Sequence, residues 1–206
     1  MREAPEVVSR KAGLVLAVSD FDERRPALPE VRAEANWLGE SLNSGSRSLL
    51  DANARREALL SLAGDRGLDR FAFWHIASHA YHDPNTGRLG GIALADGDLW
   101  LDQIAELAPL PRLVTLSVCS GMQSRLYEGD EPVGLAATCL AAGAQQMVGS
   151  LWPVHDASAV QLMKDFYSHW WSGKPVSHAL ALAQRAAARV HGMNLNGWGS
   201  FLCIGA

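Results

Sequence analysis

The sequence predicts an α/β domain built on a predominantly parallel sheet with helices on both faces. Three observations predict it. Apolar runs of strand length, such as "FAFWHIA" (71–77) and "RLVTLSV" (112–118), are continuous rather than alternating, as in strands buried on both sides. Segments with helical spacing separate these runs almost from end to end. No Pro/Gly-rich linker divides the 206 residues, so one domain over 1–206 is expected.

The elements follow in order. "GLVLAV" (13–18) reads as the first strand. In "LPEVRAEANWLGESL", Val31, Ala35, Leu38 and Leu42 recur at helical spacing, and Pro29 suits a first turn. The short apolar run Ser48-Leu49-Leu50 precedes "NARREALLSLAG", where Asn53 is placed to cap a helix and Gly64 to end it. After the 71–77 strand, "GGIALADGDLW" predicts a hairpin around Asp96-Gly97, and "LDQIAELAPL" a short helix. This stretch is longer than a minimal crossover, so the hairpin is accessory to the sheet. Beyond 112–118, "PVGLAATCLAAG" predicts a helix started by Pro132 and ended by Gly143, and "QQMVGSL" (145–151) a further strand. Two amphipathic helices, in "ASAVQLMKDFYSHWW" and "SHALALAQRAAARV", and a closing strand "FLCIG" complete the pattern.

The 48% hydrophobic and 19% charged content is that of an ordinary globular protein. A net charge of −4 and scattered basic doublets, Arg24-Arg25 and Arg55-Arg56, give no stripe for nucleic acid. The start, "MREAPEVVSRKAG", lacks the apolar core of a signal peptide, and no run approaches the roughly 18 apolar residues of a membrane span. Cys119, Cys139 and Cys203 are odd in number and widely spaced, with no CxxC pair, which predicts a reducing cytoplasm rather than a disulfide framework.

The chemistry concentrates at two strand ends. In open parallel sheets, ligands bind beyond the carboxyl ends of the strands. There the 71–77 strand gives Ser78, His79 and Ala80, and the 112–118 strand gives Cys119, Ser120 and Gly121. If these strands are neighbours, about 4.8 Å apart, His79 and Cys119 face each other across the tip. An imidazole supplies both the base and the positive charge that a thiol needs to act as thiolate. Backbone N–H groups after His79 and at Cys119 are placed to meet a developing oxyanion. "SVCSG" also shares the Cys-x-Gly core of the caspase nucleophile motif. Cys139, inside an apolar helix, and Cys203, inside the last strand, read as inert core thiols. "WHIASHAYH" contains His75, His79 and His82, but a strand position for His75 prevents the three from converging, and no HExxH accompanies them. No metal and no cofactor are therefore expected, and His75 reads as a core residue or a support behind the site.

With these residues in place, the chain resembles the CHAT domain, a caspase-like peptidase family related to separases. The resemblance rests on "FAFWHIASHAYHDP", "LGGIALADGDLWLDQIAEL", "RLVTLSVCSG", "EPVGLAATCLAAGAQQMVGSLWPVHDASAVQLMKDFY" and "WGSFLCIG", and more weakly on "LPEVRAEANWLGESL". It implies a caspase-like three-layer sandwich, with His79 as general base, Cys119 as nucleophile and the amides of Ala80 and Cys119 as the oxyanion hole. "GSLWPVHD" is similar to a Leu-Trp-x-Val-x-Asp stretch of separases, which cleave after arginine, so the resemblance implies that Asp156 lines the primary specificity pocket. On the residues alone Asp156 is a helix N-cap, or is left free for a basic substrate side chain if Ser158 and Gln161 form their own capping box. Trp152 walls the same pocket or fills the core.

The sequence departs from the family at Ser120, where many members carry glutamate, and at Ala80, where glycine is common. The resemblance implies a cysteine endopeptidase acting on a protein substrate, with gasdermin-like pore formers among the candidates, in bacterial defence or regulated cell death. Most members end longer proteins that carry helical repeats or sensors, so the chain is expected to be an excised domain or to answer to a separate regulatory protein. No nucleic-acid or membrane partner is implied. The alternatives are a catalytically silent interaction module with the same fold and a small-molecule-binding α/β domain. Loss of either dyad residue would favour the first, and a Gly-rich loop or GxSxG elbow the second; the sequence has neither feature.

Overall fold

Side chains alternate across a strand, so a strand whose every residue is apolar must be covered on both faces. The computed structural model, which describes residues 9–81, 90–117, 125–126, 132–152, 156–191 and 198–205, has this arrangement. Its strands are β1 (Gly13–Ala17), β2 (Arg47–Leu50), β3 (Phe73–Ala77), β4 (Ala80–Tyr81), β5 (Gly91–Leu94) and β6 (Gly97–Trp100), followed by β7 (Leu113–Ser117), β8 (Arg125–Leu126), β9 (Pro132–Val133), β10 (Gln146–Ser150) and β11 (Phe201–Gly205). The helices are α1 (Pro29–Ser41), α2 (Arg56–Ala63), α3 (Leu101–Ala105), α4 (Leu135–Ala141), α5 (Asp156–Trp171) and α6 (Val176–His191).

The central sheet has the order β11-β10-β7-β3-β1-β2, parallel throughout except for β11. Leu14, Leu16, Trp74, Ile76, Val114, Leu116 and Met147 face one layer, where they pack with residues of α2, α3 and α4. Val15, Ala17, Phe73, Ala77, Leu113 and Val148 face the other, against α1, α5 and α6. The expected three-layer sandwich is borne out. Glycine at position 13 is a packing requirement, because a Cβ there would run into the Phe73 ring.

The hairpin is present as β5 and β6, turning through Ala95 and Asp96, with Gly97 at a φ of 143° opening the second strand. β4 adds a third, antiparallel strand to it, which the periodicity did not predict. Three local expectations are corrected. Asn53 does not cap α2: it closes a short 3-10 turn, and the helix starts after an extended Arg55, with Asp96 of the hairpin 3.4 Å from the Arg56 N–H. Pro132 does not start α4. It lies in β9, a two-residue strand paired to β8, where a missing N–H is tolerated, and α4 begins after an extended Gly134. Ser158 does not open α5 with a capping box, because the helix already begins at Asp156.

Candidate active site

The position of the site follows from the connections. β1 runs into α1 on one face of the sheet, whereas β3, its neighbour, leads through the hairpin to α3 on the other. Where connections diverge between adjacent parallel strands, a crevice opens at their carboxyl ends. His79 stands at that crevice, two residues past β3, and half-buried.

Its ring is held by the segment 19–28, which links β1 to α1. His79 Nε2 lies 2.8 Å from the Pro26 carbonyl oxygen. A carbonyl only accepts, so Nε2 carries the proton and donates it, which in the neutral ring leaves the lone pair on Nδ1. The Phe21 ring packs against the imidazole at 5.0 Å between centroids, tilted by 42°. Two arginines strap the same segment to the hairpin: Arg24 donates to the Ala95 carbonyl, and Arg25 pairs with Asp98 at 2.9 Å.

The hairpin also fixes the backbone of the site. The buried Ser78 hydroxyl donates to the Ala93 carbonyl at 2.6 Å, and the Ala93 N–H donates to the His79 carbonyl at 2.8 Å. That second bond makes Ala80 and Ile92 a non-hydrogen-bonded pair, which keeps the Ala80 N–H out of the ladder. β7 lies directly beside β3, with Ala77 opposite Ser117. The condition on which the facing of the dyad depends, that these strands are neighbours, is therefore met. Cys119 itself, two positions beyond Ser117 in the sequence, lies outside the described residues, as do Ser120 and Gly121.

A family profile for the CHAT domain matches residues 1–206. The chain belongs to the CHAT domain family. A search of curated protein sequences found no match. Among solved structures, it is similar to Saccharomyces cerevisiae separase in its complex with securin, with a TM-score of 0.64 at 15% identity, over 94% of this chain and 11% of separase. The Arg-specific cysteine proteinase gingipain R superposes with a TM-score of 0.62 at 10% identity, over 97% of this chain and 47% of that one. Caspase-1 from Spodoptera frugiperda gives 0.58 at 12% identity, over 100% and 93% of the two chains. This CHAT domain thus has the caspase-like fold, and it spans about a tenth of the separase chain and about half of the gingipain chain.

The remaining site candidates of the CHAT domain fall at the carboxyl end of β10, which pairs with β7 on the side away from β3. Trp152 is 37% exposed and follows Leu151, 38% exposed, so it does not fill the core. Asp156 is the first residue of α5. Cys139 is fully buried, which pushes its thiol up to about 12, and burial also raises the half-buried Cys203; both behave as core thiols. Among the described residues, no three His, Cys, Asp or Glu side chains group as metal ligands, and no helix is long and apolar enough to cross a membrane.

Behind the site lies a buried polar cluster around His75, whose partners the sequence reading did not name. His75 Nδ1 is 2.9 Å from the Thr115 hydroxyl and 3.1 Å from the Tyr167 hydroxyl, which are 2.6 Å from each other. On its other side, Nε2 lies 3.4 Å from Glu34 Oε1, an electrostatic contact without hydrogen-bond geometry. Glu34 Oε2 accepts from the Ser117 hydroxyl at 2.9 Å, tying α1 to the end of β7. Burial pushes His75 down to about 3, so its ring is neutral at pH 7. The signal for Glu34 was its place on the apolar stripe of α1, between Val31 and Leu38. Pro26 and Phe21 carried no signal of their own: one acts through a backbone carbonyl, the other reads as an ordinary apolar residue.

Proposed function

We propose that this CHAT domain is a cysteine endopeptidase, one catalytic domain over residues 1–206, in which His79 activates Cys119. The observation that carries the reading is the bond from His79 Nε2–H to the Pro26 carbonyl. It leaves Nδ1 as the basic nitrogen at the strand tips, beside the strand that leads to Cys119. In the proposed reaction Nδ1 takes the thiol proton, and the thiolate sulfur attacks the scissile carbonyl carbon. The amides of Ala80 and Cys119 receive the oxyanion. The C–N bond then breaks as Nδ1–H protonates the departing amine. Water, deprotonated by Nδ1, cleaves the thioester and restores the thiol. The Pro26 carbonyl holds the ring in one tautomer and stabilises the imidazolium that forms in between.

Asp156 is proposed to bind a basic substrate side chain, and the exposed Trp152 to wall the same pocket. Gingipain R, an Arg-specific proteinase, has this fold, which supports the basic preference. The substrate is proposed to be a protein, of the gasdermin-like pore-forming class among others, cleaved in the cytoplasm during bacterial defence or regulated cell death. A separate regulatory protein is the proposed source of control; separase has been seen in complex with securin.

Acyloxymethyl-ketone peptide probes with arginine, leucine or aspartate next to the warhead test this reading. Wild type is expected to react at Cys119, fastest with the arginine probe. Cys119→Ala abolishes labelling, and His79→Ala slows it by about 10²-fold or more. Labelling that survives Cys119→Ala, or a His79→Ala rate equal to wild type, overturns the dyad. A preference for leucine or aspartate removes the role given to Asp156.

A further inference from the structure

The segment that holds His79 is itself anchored at one carboxylate. After β1, the Val18 N–H still donates to the Ala77 carbonyl at 3.0 Å. Ser19 then gives both of its donors to a single oxygen: its N–H reaches Asp51 Oδ1 at 2.7 Å and its hydroxyl reaches the same atom at 2.8 Å. Asp51 Oδ2 takes Arg32 Nη2 of α1 at 2.9 Å, and Arg32 Nε donates to the Ser19 hydroxyl oxygen at 3.2 Å, which closes the triangle. The Ser19 carbonyl accepts the Leu28 N–H at 2.8 Å. Both ends of the segment 19–28 are thereby fastened to the residue that Asp51 grips.

Two further features set Asp51 apart. Its backbone sits at a φ of 44°, in the left-handed region that side-chain-bearing residues seldom enter. A cavity of about 140 Å³ lies against the triangle, lined by Ser19, Arg32 and Asp51 together with Ala17, Val31 and Leu50. Burial works to raise the Asp51 pKa, but the Ser19 hydrogen bonds and Arg32 outweigh it and hold the carboxyl below its usual value, so the anchor is charged at neutral pH.

We infer that Asp51 is a positioning residue for His79: it fixes Ser19, Ser19 fixes the segment 19–28, and that segment sets the tautomer and orientation of the imidazole through the Pro26 carbonyl and the Phe21 ring. The inference deepens the proposed peptidase reading and rests on it for its catalytic consequence.

Three substitutions separate the anchor from the backbone. Asp51→Ala removes the acceptor. Asp51→Gly removes it while suiting the positive φ. Asp51→Asn keeps one oxygen for both Ser19 donors and tolerates that φ. Asp65→Asn, an exposed carboxylate elsewhere, is the control. The first readout needs no catalysis: the His79 Nε2–H signal in nitrogen-edited NMR, assigned by its loss in His79→Gln. Wild type, Asp51→Asn and the control are expected to show a single Nε2-protonated ring with a slowly exchanging proton. Asp51→Ala and Asp51→Gly are expected to show mixed tautomers and at least tenfold faster exchange. The second readout is probe labelling, where the saturating rate should fall about 10- to 100-fold in Ala and Gly, as small misplacements of reacting groups do. Probe half-saturation should change less than twofold, and Asp51→Asn should stay within threefold of wild type.

An unchanged tautomer and exchange rate in Asp51→Ala overturns the inference. If wild type does not label at all, the peptidase reading fails and the NMR signal still decides the anchor. Should Asp51→Ala not fold, Ser19→Ala removes one of the two donors and is expected to speed the exchange in the same direction; no change there also overturns it.

Discussion

His75 and His79 belong to one strand run, four positions apart, and the fold gives them opposite circumstances. His75 points into the α1 and α5 layer, fully buried, with hydroxyls on one nitrogen and a carboxylate on the other. Every direction its ring faces is occupied by protein, and burial keeps it neutral. His79 lies just beyond the end of β3, half-buried, with one nitrogen tied to a carbonyl and one face against Phe21. The first histidine is a structural part with imidazole shape; the second has only Nε2 tied down, at the end of the sheet. The residue type is the same, so the difference comes from where the strand stops.

Stability measurements break or sharpen this contrast. The largest expected effect is for His75→Ala, which leaves a cavity and strips Thr115 and Tyr167 of a partner; it should cost about 3 kcal/mol in urea unfolding. His79→Ala should stay within about 1 kcal/mol of wild type, because the site it leaves is partly open to water. Equal losses in the two variants would break the contrast.

A pH series is the next test. The folded-state pKa of His75, about 3, lies below its unfolded value of 6.5, so between those limits only the unfolded chain binds the proton. Stability should be indifferent to this group above pH 6.5 and fall by about 1.4 kcal/mol per unit as the pH drops from 6.5 towards 3. His75→Gln should remove that component of the slope. An identical slope in the variant would mean that another group carries the acid sensitivity. Within the buried cluster a smaller effect is expected for Tyr167→Phe, which deletes one hydroxyl. It should cost about 1 kcal/mol and leave probe labelling unchanged; a labelling defect at full stability would tie the buried cluster to catalysis.

Much of this architecture was legible because burial on two faces leaves an unmistakable trace. Residues such as Leu14, Leu16, Trp74, Ile76, Val114 and Leu116 fill one side of their strands while Val15, Phe73, Ala77 and Leu113 fill the other, so the runs are continuous. The neighbouring of β3 and β7, on which the reading of His79 and Cys119 depends, stood in the sequence only as a condition, and the structure supplies it. Contacts made through the backbone or across long separations were not legible. Pro26 serves His79 with its carbonyl, an atom every residue has. Asp96 stands near the start of α2 from forty residues away, where local pattern pointed to Asn53. Asp51 looks like any turn aspartate until its partners, Ser19 and Arg32, are brought to it by the sheet. Glu34 went unread although it carried a signal: an acidic residue on an apolar stripe is a visible irregularity.

The placement of β1 has a consequence for how the protein is made. β1 lies between β2 and β3, and its partners in β3 are encoded sixty residues later. Pairing over that separation is slow to nucleate compared with local helix contacts. Once β3 and the hairpin have emerged, everything that fixes His79 is available, namely the segment 19–28, Asp51 and residues 91–100. All of it precedes residue 119 in the chain. The contacts of the imidazole are thus all encoded ahead of the proposed nucleophile, whereas α5 and α6, which cover one face of β1 and β3, are encoded after it.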